Sequence, residues 1–360
     1  MIFMLKVLMV CESFGGGVFA YVSQLCNDMC EYDDFEIYLA YSVRPQTPKD
    51  FKSKLNKKIH LIEVKSFYSY KSLTGFFKTV KELRNIEEKI KPDIIHLHSS
   101  IAGGFGRIAF SGKTNKVVYT PHGYAHILMG RNKKTIFFEI MERVLGKRNA
   151  TTLTCCESED EVAKTFSTQT AYIETGININ DLSKKVKKIV SSDKKKEFTV
   201  FTLGRISFQK QPKLFNEIAK LVPEANFVWI GDGELRDELD APNIKITGWK
   251  DREEALSLAY SADVYILCSL GEAIAMSLVE NMYLRKLCLV SNVMGNKSVI
   301  KNNVNGYICN DASEYAKRIK ESMNNFPGKL VEQAYKDVLN VYNTETMKKK
   351  YVEFYKSLVK

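Results

Sequence analysis

No stretch of this chain approaches the roughly 20 consecutive apolar residues that a membrane-spanning helix requires, so no segment of that kind is expected. The sequence also lacks a long low-complexity tract and a repeat of fixed period, which sets aside disordered and solenoid readings. Its eight cysteines contain no CxxC pair, and the nearest neighbours, Cys26 with Cys30 and Cys155 with Cys156, do not supply the two ligand pairs of a structural zinc site. They read as reduced, structural thiols in a reducing compartment. No Asp-x-Asp element is present, so no metal is expected, and no cofactor is expected either.

What is present points to a globular protein of about two domains: 360 residues, 45% hydrophobic and 26% charged. The opening run Met1–Val10 is apolar but short, and it is interrupted by Lys6. It leads into glycines rather than a small-residue cleavage site, so it reads as a first core strand and not as a secretory leader. The location expected is therefore cytoplasmic. The net charge is +11, unevenly distributed: residues 51–150 carry 20 Lys and Arg against 7 Asp and Glu, while residues 1–50 are net negative. Such a basic region attracts nucleic acid, anionic lipid headgroups or a pyrophosphate-bearing substrate, and it equally fits a solvated basic surface.

Short β-branched runs alternate with amphipathic stretches, the pattern of βα units around a parallel sheet. In the first half, strands are expected at Lys6–Val10, Ile37–Ala40, Ile59–Val64, Asp93–His98 and Val117–Thr120, with helices over Lys78–Ile90 and from about Gly103 to Phe110. Gly15-Gly16-Gly17 turns the chain after the first strand and permits close backbone approach to a ligand. The lysine-rich segment Ser183–Glu197 reads as a solvated connection. The rhythm then restarts with strands at Phe198–Leu203, Phe227–Ile230, Ile244–Thr247, Val264–Cys268 and Leu287–Val290, and a helix at Pro212–Leu221. The fold class expected is α/β, with two Rossmann-like, doubly wound domains facing across a cleft: residues 1–180, residues 181–340, and a helix within 341–360 packing back on the body.

The most informative stretch is Gly271-Glu272-Ala273-Ile274-Ala275-Met276-Ser277-Leu278-Val279-Glu280, which follows a strand and opens a helix. Amides of the first turn, Ala275, Met276 and Ser277, are left without intrahelical partners and make an anion site with the helix dipole. Glu272 and Glu280 are carboxylates able to accept hydrogen bonds from hydroxyls at two ends of a ligand. This E-x7-E element resembles that of the retaining glycosyltransferases of family 4 (group 1), which have the GT-B fold and include bacterial capsule and O-antigen polysaccharide transferases. The resemblance implies that Glu272 contacts the transferred sugar and that Glu280 holds the ribose hydroxyls.

A second element, Gly204-Arg205-Ile206-Ser207-Phe208-Gln209-Lys210, sets two cations five residues apart after a strand. Arg grips a diphosphate bidentately and Lys adds a point charge; the matching residues of the family neutralise the leaving nucleotide diphosphate, a role Arg205 and Lys210 inherit. Gly231-Asp232-Gly233 and Ile246-Thr247-Gly248-Trp249 resemble the family's loops around the base, with Gly248 and Trp249 as contacts. In the first half, Gly16 and Gly17 are candidate donor contacts, and His122, in Tyr119-Thr120-Pro121-His122-Gly123, matches a histidine that reaches the donor sugar. His96 is expected to be packed and His98 to border the acceptor side. Glu157-Ser158-Glu159 and Thr175-Gly176-Ile177-Asn178 resemble elements near the domain junction.

The resemblance spans about residues 5–310. The chain departs from it at Ala273-Ile274, where Gly and often Pro are usual, and at Tyr283-Leu284-Arg285-Lys286-Leu287, where a glycine-containing turn is usual. It implies a metal-independent, retaining transfer from a nucleotide diphosphate-sugar (UDP or GDP form) to the hydroxyl of a glycan or polyprenyl diphosphate-linked acceptor. Nucleic acid is not an expected partner, and the basic first half is expected to touch an anionic membrane peripherally, on the inner face of the plasma membrane. The competing readings are a sugar-nucleotide epimerase and a non-catalytic nucleotide or nucleic-acid binder.

Overall fold

The computed structural model describes residues 4–110, 116–128, 132–148, 150–189 and 197–359. The chain runs β1 (Leu5–Phe14), α1 (Gly16–Met29), β2 (Phe35–Val43), β3 (His60–Glu63), α2 (Leu73–Ile90), β4 (Ile94–His98), α3 (Ser100–Ala109), β5 (Lys116–Thr120), α4 (Ala125–Leu128), α5 (Lys133–Leu145), β6 (Thr151–Thr154), α6 (Glu157–Ala163) and β7 (Thr170–Tyr172). It continues through α7 (Ile179–Ile189), β8 (Thr199–Leu203), α8 (Pro212–Leu221), β9 (Asn226–Ile230), β10 (Ile244–Ile246), α9 (Arg252–Ser261), β11 (Val264–Leu267), α10 (Met276–Tyr283), β12 (Leu287–Ser291), α11 (Met294–Val299), β13 (Tyr307–Cys309), α12 (Ala312–Asn324), α13 (Gly328–Asn340) and α14 (Thr344–Val359). Contacts divide it into two units: Met1–His126, Arg131–Thr175 and Thr344–Lys360 form the first, Ile127–Gly130 and Gly176–Asn343 the second.

The first unit is built on a seven-stranded parallel sheet ordered β3-β2-β1-β4-β5-β6-β7. Val7, Leu8, Met9 and Val10 are all fully buried, as expected of a central parallel strand with helices on both faces, which reads as a continuous apolar run rather than an alternating one. Helix α3 lies so close to the sheet that a Cβ on Gly103 would stand 2.2 Å from the Tyr119 ring and one on Gly106 2.4 Å from Leu97. Helix α14 buries Met347, Tyr351 and Tyr355 in this unit, whereas Phe354 and Leu358 are only partly covered. Two hydroxyls fasten it: Tyr351 to Tyr21 of α1 at 2.5 Å, and Tyr355 to His96 Nδ1 at 2.6 Å.

The second unit repeats the arrangement with six parallel strands, β10-β9-β8-β11-β12-β13. Successive residues of its central strands face opposite cores: Val200, Val264 and Ile266 pack with Phe227 and Trp229, while Phe201, Tyr265 and Leu267 pack with Leu278 and Val279 of α10. In both sheets the strand order reverses beside the first strand, between β1 and β4 and between β8 and β11. Ligands of open α/β sheets bind at the carboxyl ends of the strands at such a reversal.

Three sequence expectations change. Ser183–Ile189 is not a solvated connection but most of α7: Ile179, Leu182 and Val186 fall on one helical face and join the second core, and Lys184 and Lys187 are exposed. Residues 190–196 of that expectation lie outside the described residues. Helix α2 starts five residues before Lys78, where the Ser72 hydroxyl accepts from Gly75 N and caps the first turn. It ends at Lys91 in a left-handed conformation, before Pro92 is reached. Strands β6, β7 and β13, of four, three and three residues, have no counterpart in the sequence reading.

Candidate active site

In the second unit, the loop after β8 and the loop after β11 flank the strand-order reversal and are stitched together by three consecutive residues. Gln209 Nε2 donates to Gly271 O at 2.8 Å and accepts through its own carbonyl from Leu270 N. Lys210 Nζ donates to Glu272 Oε1 at 2.6 Å. Gln211 Nε2 donates to Cys268 O at 2.5 Å, from a residue with φ of 51°. A non-glycine residue in the left-handed region is strained and persists where its surroundings over-determine it; here those surroundings include the Lys210–Glu272 contact. Glu272 is almost wholly buried, and the Ser269 hydroxyl donates to the same oxygen at 2.6 Å. Gly295 N, at the start of α11, donates to Glu272 O at 3.1 Å.

Helix α10 begins at Met276 with Ala275 as its cap residue and no side chain bonding to the open end. Its first intrahelical bond runs from Leu278 N to Ala275 O, so the amides of Met276 and Ser277 precede the ladder. No acid occupies the first turn to quench the positive end of the dipole. Glu272 stands just ahead of this turn. Glu280, one turn on, is buried and is met by Arg252 Nη2 of α9 at 2.6 Å on Oε1. The Ser277 hydroxyl is 2.9 Å from Tyr265 OH.

The two other loops adjoin the β8 loop. Gly231 (φ 142°) comes so close to Gly204 that a Cβ would stand 2.1 Å from the Gly204 carbonyl oxygen. Gly248 (φ 72°) faces Gly231 through an antiparallel bridge. Trp249 presents an exposed indole beside it. Arg205 is bonded to Glu234 at 2.9 Å and not to Glu272. The structure therefore joins Lys210 with Glu272, leaves Arg205 on a neighbouring carboxylate, and gives Glu280 a cation of its own.

In the first unit, Gly16 and Gly17 form the opening turn of α1, and nothing lies within 4 Å of where a Cβ would stand on either. His122 follows β5 with φ of 57°, a strained residue just past a strand's carboxyl end, as is Ser99 after β4 with φ of 89°. Its Nε2 is 3.1 Å from His98 Nδ1, its Nδ1 is 3.7 Å from Cys155 Sγ, and its ring meets the edge of Tyr21 at 4.7 Å. Burial holds the imidazole neutral, with its pKa pushed down to about 3. His98 is wholly buried rather than bordering an open surface of its unit, and its Nε2 has no partner among the described residues. His96 is packed as expected, held by Tyr355 and by Thr120 at 2.8 Å. Glu159 fixes the His122 loop from behind: Oε1 accepts from Gly123 N at 2.7 Å and Oε2 from Cys155 N at 2.9 Å. Burial pushes this carboxyl up to about 7, against the two amides, which favour its ionised form.

Arg252, Ser269, Gln209, Gln211 and Gly295 were not singled out in the sequence. Gln209 and Gln211 lie within the quoted Arg205–Lys210 element or beside it. Arg252 is remote in sequence and carries no local signal, and Gly295 falls in the later loop Ser291–Asn296, which departs from the family pattern of an Asp and a Gly-Gly pair. Among the described residues no cluster of three or more metal-ligating side chains occurs.

Residues 15–181 match the model of Glycosyltransferase Family 4, and residues 183–337 match that of Glycosyl transferases group 1. The chain is 30% identical over 266 residues to the UDP-Gal:alpha-D-GlcNAc-diphosphoundecaprenol alpha-1,3-galactosyltransferase of Escherichia coli, covering 66% of this chain and 67% of that protein. It is 21% identical to the putative teichuronic acid biosynthesis glycosyltransferase TuaC of Bacillus subtilis, over 64% of this chain and 63% of that one. Among solved structures, sucrose-phosphate synthase of Thermosynechococcus elongatus superposes with a TM-score of 0.81 at 15% identity, over 98% of this chain and 99% of that one. HepE of Anabaena, in complex with UDP and glucose, does so with a TM-score of 0.76 at 17% identity, over 98% and 100%. With both of its Rossmann-like units matched by the paired family models, the chain belongs to the group 1, family 4 glycosyltransferases of GT-B fold.

Proposed function

We propose that the chain transfers a hexose from a UDP-sugar, with retention of anomeric configuration, to a hydroxyl of a polyprenyl diphosphate-linked glycan. The observation that carries this reading is the Lys210–Glu272–Ser269 cluster set against the uncapped start of α10. It combines a cation and free amides, which suit a diphosphate, with a buried carboxylate that accepts from sugar hydroxyls. The E. coli relative is named for UDP-galactose and a diphosphoundecaprenol-linked acceptor, and this supports the choice of donor and acceptor class.

The difficult charge in such a reaction develops on the departing diphosphate as the anomeric carbon passes through an oxocarbenium-like state. Lys210, the Met276 and Ser277 amides, and Arg205 once released from Glu234 supply positive potential there without reorganising solvent. Glu272, its orientation set by Ser269 and Lys210, accepts from the sugar. Glu280 accepts from ribose hydroxyls through Oε2, since Arg252 occupies Oε1. Retention follows if the acceptor attacks on the face the diphosphate leaves, with a donor phosphate oxygen taking its proton. His122, neutral at pH 7, contributes a hydrogen bond rather than a charge, and Gly16 and Gly17 offer α1's first amides to the donor. The enzyme works in the cytoplasm, peripheral to the inner face of the plasma membrane, where such acceptors are held.

The reading is tested by incubating the full chain with UDP-, GDP- and ADP-hexoses and a synthetic GlcNAc-diphospho-lipid. A mass increase of one hexose with a UDP donor, and an α-linkage by NMR, are expected; no transfer from any donor overturns it.

A further inference from the structure

Helix α5 is turned inside out for a surface helix. Among the residues between Lys133 and Lys147 whose side chains are described, the exposed ones are Lys133, Ile136, Phe137, Ile140, Arg143, Val144 and Lys147, which fall within about one third of the helical circumference at 100° per residue. Phe137, Ile140 and Val144 are 60%, 55% and 61% exposed. The two acids of the helix are turned inward instead. Glu142 is buried on Arg107 and Tyr119, and Glu139 is mostly covered and paired with Arg143. Within the first unit the solvent face is thus apolar and cationic, with no acid on it. Ordinary surface helices place charge outward and apolar residues inward.

A second patch of the same composition lies in the same unit. Leu73 and Phe77, at the start of α2, are strongly exposed beside exposed Lys71, Lys78 and Lys81. Helices α2 and α5 both pack against α3. In chain order α2 follows β3, and α5 follows β5, whose carboxyl end carries His122.

From this juxtaposition we propose that the outer face of α5, with the first turns of α2, docks the protein on an anionic lipid bilayer. The apolar stripe enters the headgroup boundary, and Lys133, Arg143 and Lys147 meet anionic headgroups. Charge complementarity decides between occupants. A second copy of this chain would bring the same cations against themselves, whereas an anionic membrane neutralises them. The inference rests on the peripheral location proposed above and is independent of the transfer chemistry.

The test is flotation of the full chain with phosphatidylcholine vesicles containing either none or about a third phosphatidylglycerol, at low and high salt. Binding is expected only with phosphatidylglycerol, weakened by salt, and reduced about tenfold or more by Phe137→Ser with Ile140→Ser. Transfer to a soluble acceptor is expected to stay within about twofold in that variant, because neither residue belongs to the active site. Val144→Cys, labelled with an environment-sensitive dye, gives a second reading that does not depend on the serine variant folding; the eight native cysteines are buried. A blue shift on adding anionic vesicles is expected. Wild-type binding that ignores phosphatidylglycerol and salt, an unshifted dye, or a lipid-free dimer abolished by the serine variant each overturns the proposal. Loss of transfer with vesicle binding intact would count against the enzymatic reading alone.

Discussion

Lys210 Nζ and Glu272 Oε1 stand 2.6 Å apart, although 62 residues separate them in the chain. The contact closes the loop after β8 onto the loop after β11, at the point where the strand order of the second sheet reverses. A buried carboxylate left without its cation is costly. The pair therefore shapes the site, and under the function proposed above it holds the positive charge for which a diphosphate would compete.

Lys210→Ala is expected to lower kcat about 100- to 1,000-fold, the usual loss when one preorganised charge stabiliser is removed. It should also lower the Tm, because Glu272 then keeps only Ser269. Lys210→Arg retains the charge but not the reach, and should recover stability more than rate. Steady-state kinetics with a differential scanning measurement separate the two effects.

Glu280→Ala should abolish the thermal stabilisation given by UDP. Arg252→Met, which leaves Glu280 in place but without its orienting cation, should raise KM for the UDP-sugar about tenfold, or about 1.4 kcal/mol, with kcat little changed. A matching loss with the 2′-deoxyribose donor would show that Arg252 does not act through the ribose contact, so the comparison of the two donors is the informative one.

The pH dependence of stability includes opposite contributions from Glu159 and His122. Glu159, raised to about 7 in the fold by burial from a usual value of 4.5, binds more protons folded than unfolded between those values. Its contribution thus falls as pH rises through that window. His122, lowered to about 3 by burial from a usual 6.5, binds fewer protons folded, so its contribution falls as pH drops below 6.5. Glu159→Gln removes the first slope and leaves the second. The stability of the wild type relative to Glu159→Gln should therefore decline between about pH 4.5 and 7, measured by denaturant titration across that range. A flat difference would mean that Glu159 is not buried as described.

Gly295→Ala places a Cβ 1.9 Å from Ala273 O and 2.4 Å from Glu272 O, pushing the Glu272 loop away from Lys210. UDP affinity should fall by at least tenfold, with a lower Tm. Gly328→Ala, where nothing lies within 4 Å, is the control and should leave both unchanged.

Much of the architecture was legible because parallel strands buried on both faces leave unbroken apolar runs, such as Val7–Val10 and Val264–Leu267. Helix α8 was read to its ends, since Pro212 opens it and its apolar spacing is regular. The short strands β6 and β7 were missed: Thr151–Thr154 and Thr170–Tyr172 are too brief and too polar to stand out, and only pairing with β5 and with each other makes them strands. Helix α7 was hidden by its lysines, whose solvated face outweighed Ile179, Leu182 and Val186 in the reading.

For the site, the local motifs gave Lys210, Glu272, Glu280 and the start of α10. They did not give the partners, because Arg252, Ser269 and Gly295 reach these residues only through the fold. Nor did they show that Arg205 is bonded to Glu234 while Lys210 is bonded to Glu272. Spacing along a loop fixes where side chains start but not which neighbour each one meets. The outward apolar face of α5 could not have been inferred from periodicity, which reports a stripe without saying which side is covered.

Calorimetric titration of UDP into the wild-type chain and into Lys210→Ala and Glu280→Ala tests the central claim most directly, namely that the second unit captures a nucleotide diphosphate with Lys210, the α10 amides and Glu280. Saturable binding to the wild type, weakened at least tenfold in each variant, is the result expected. Equal affinity in all three proteins, or none in the wild type, would contradict it.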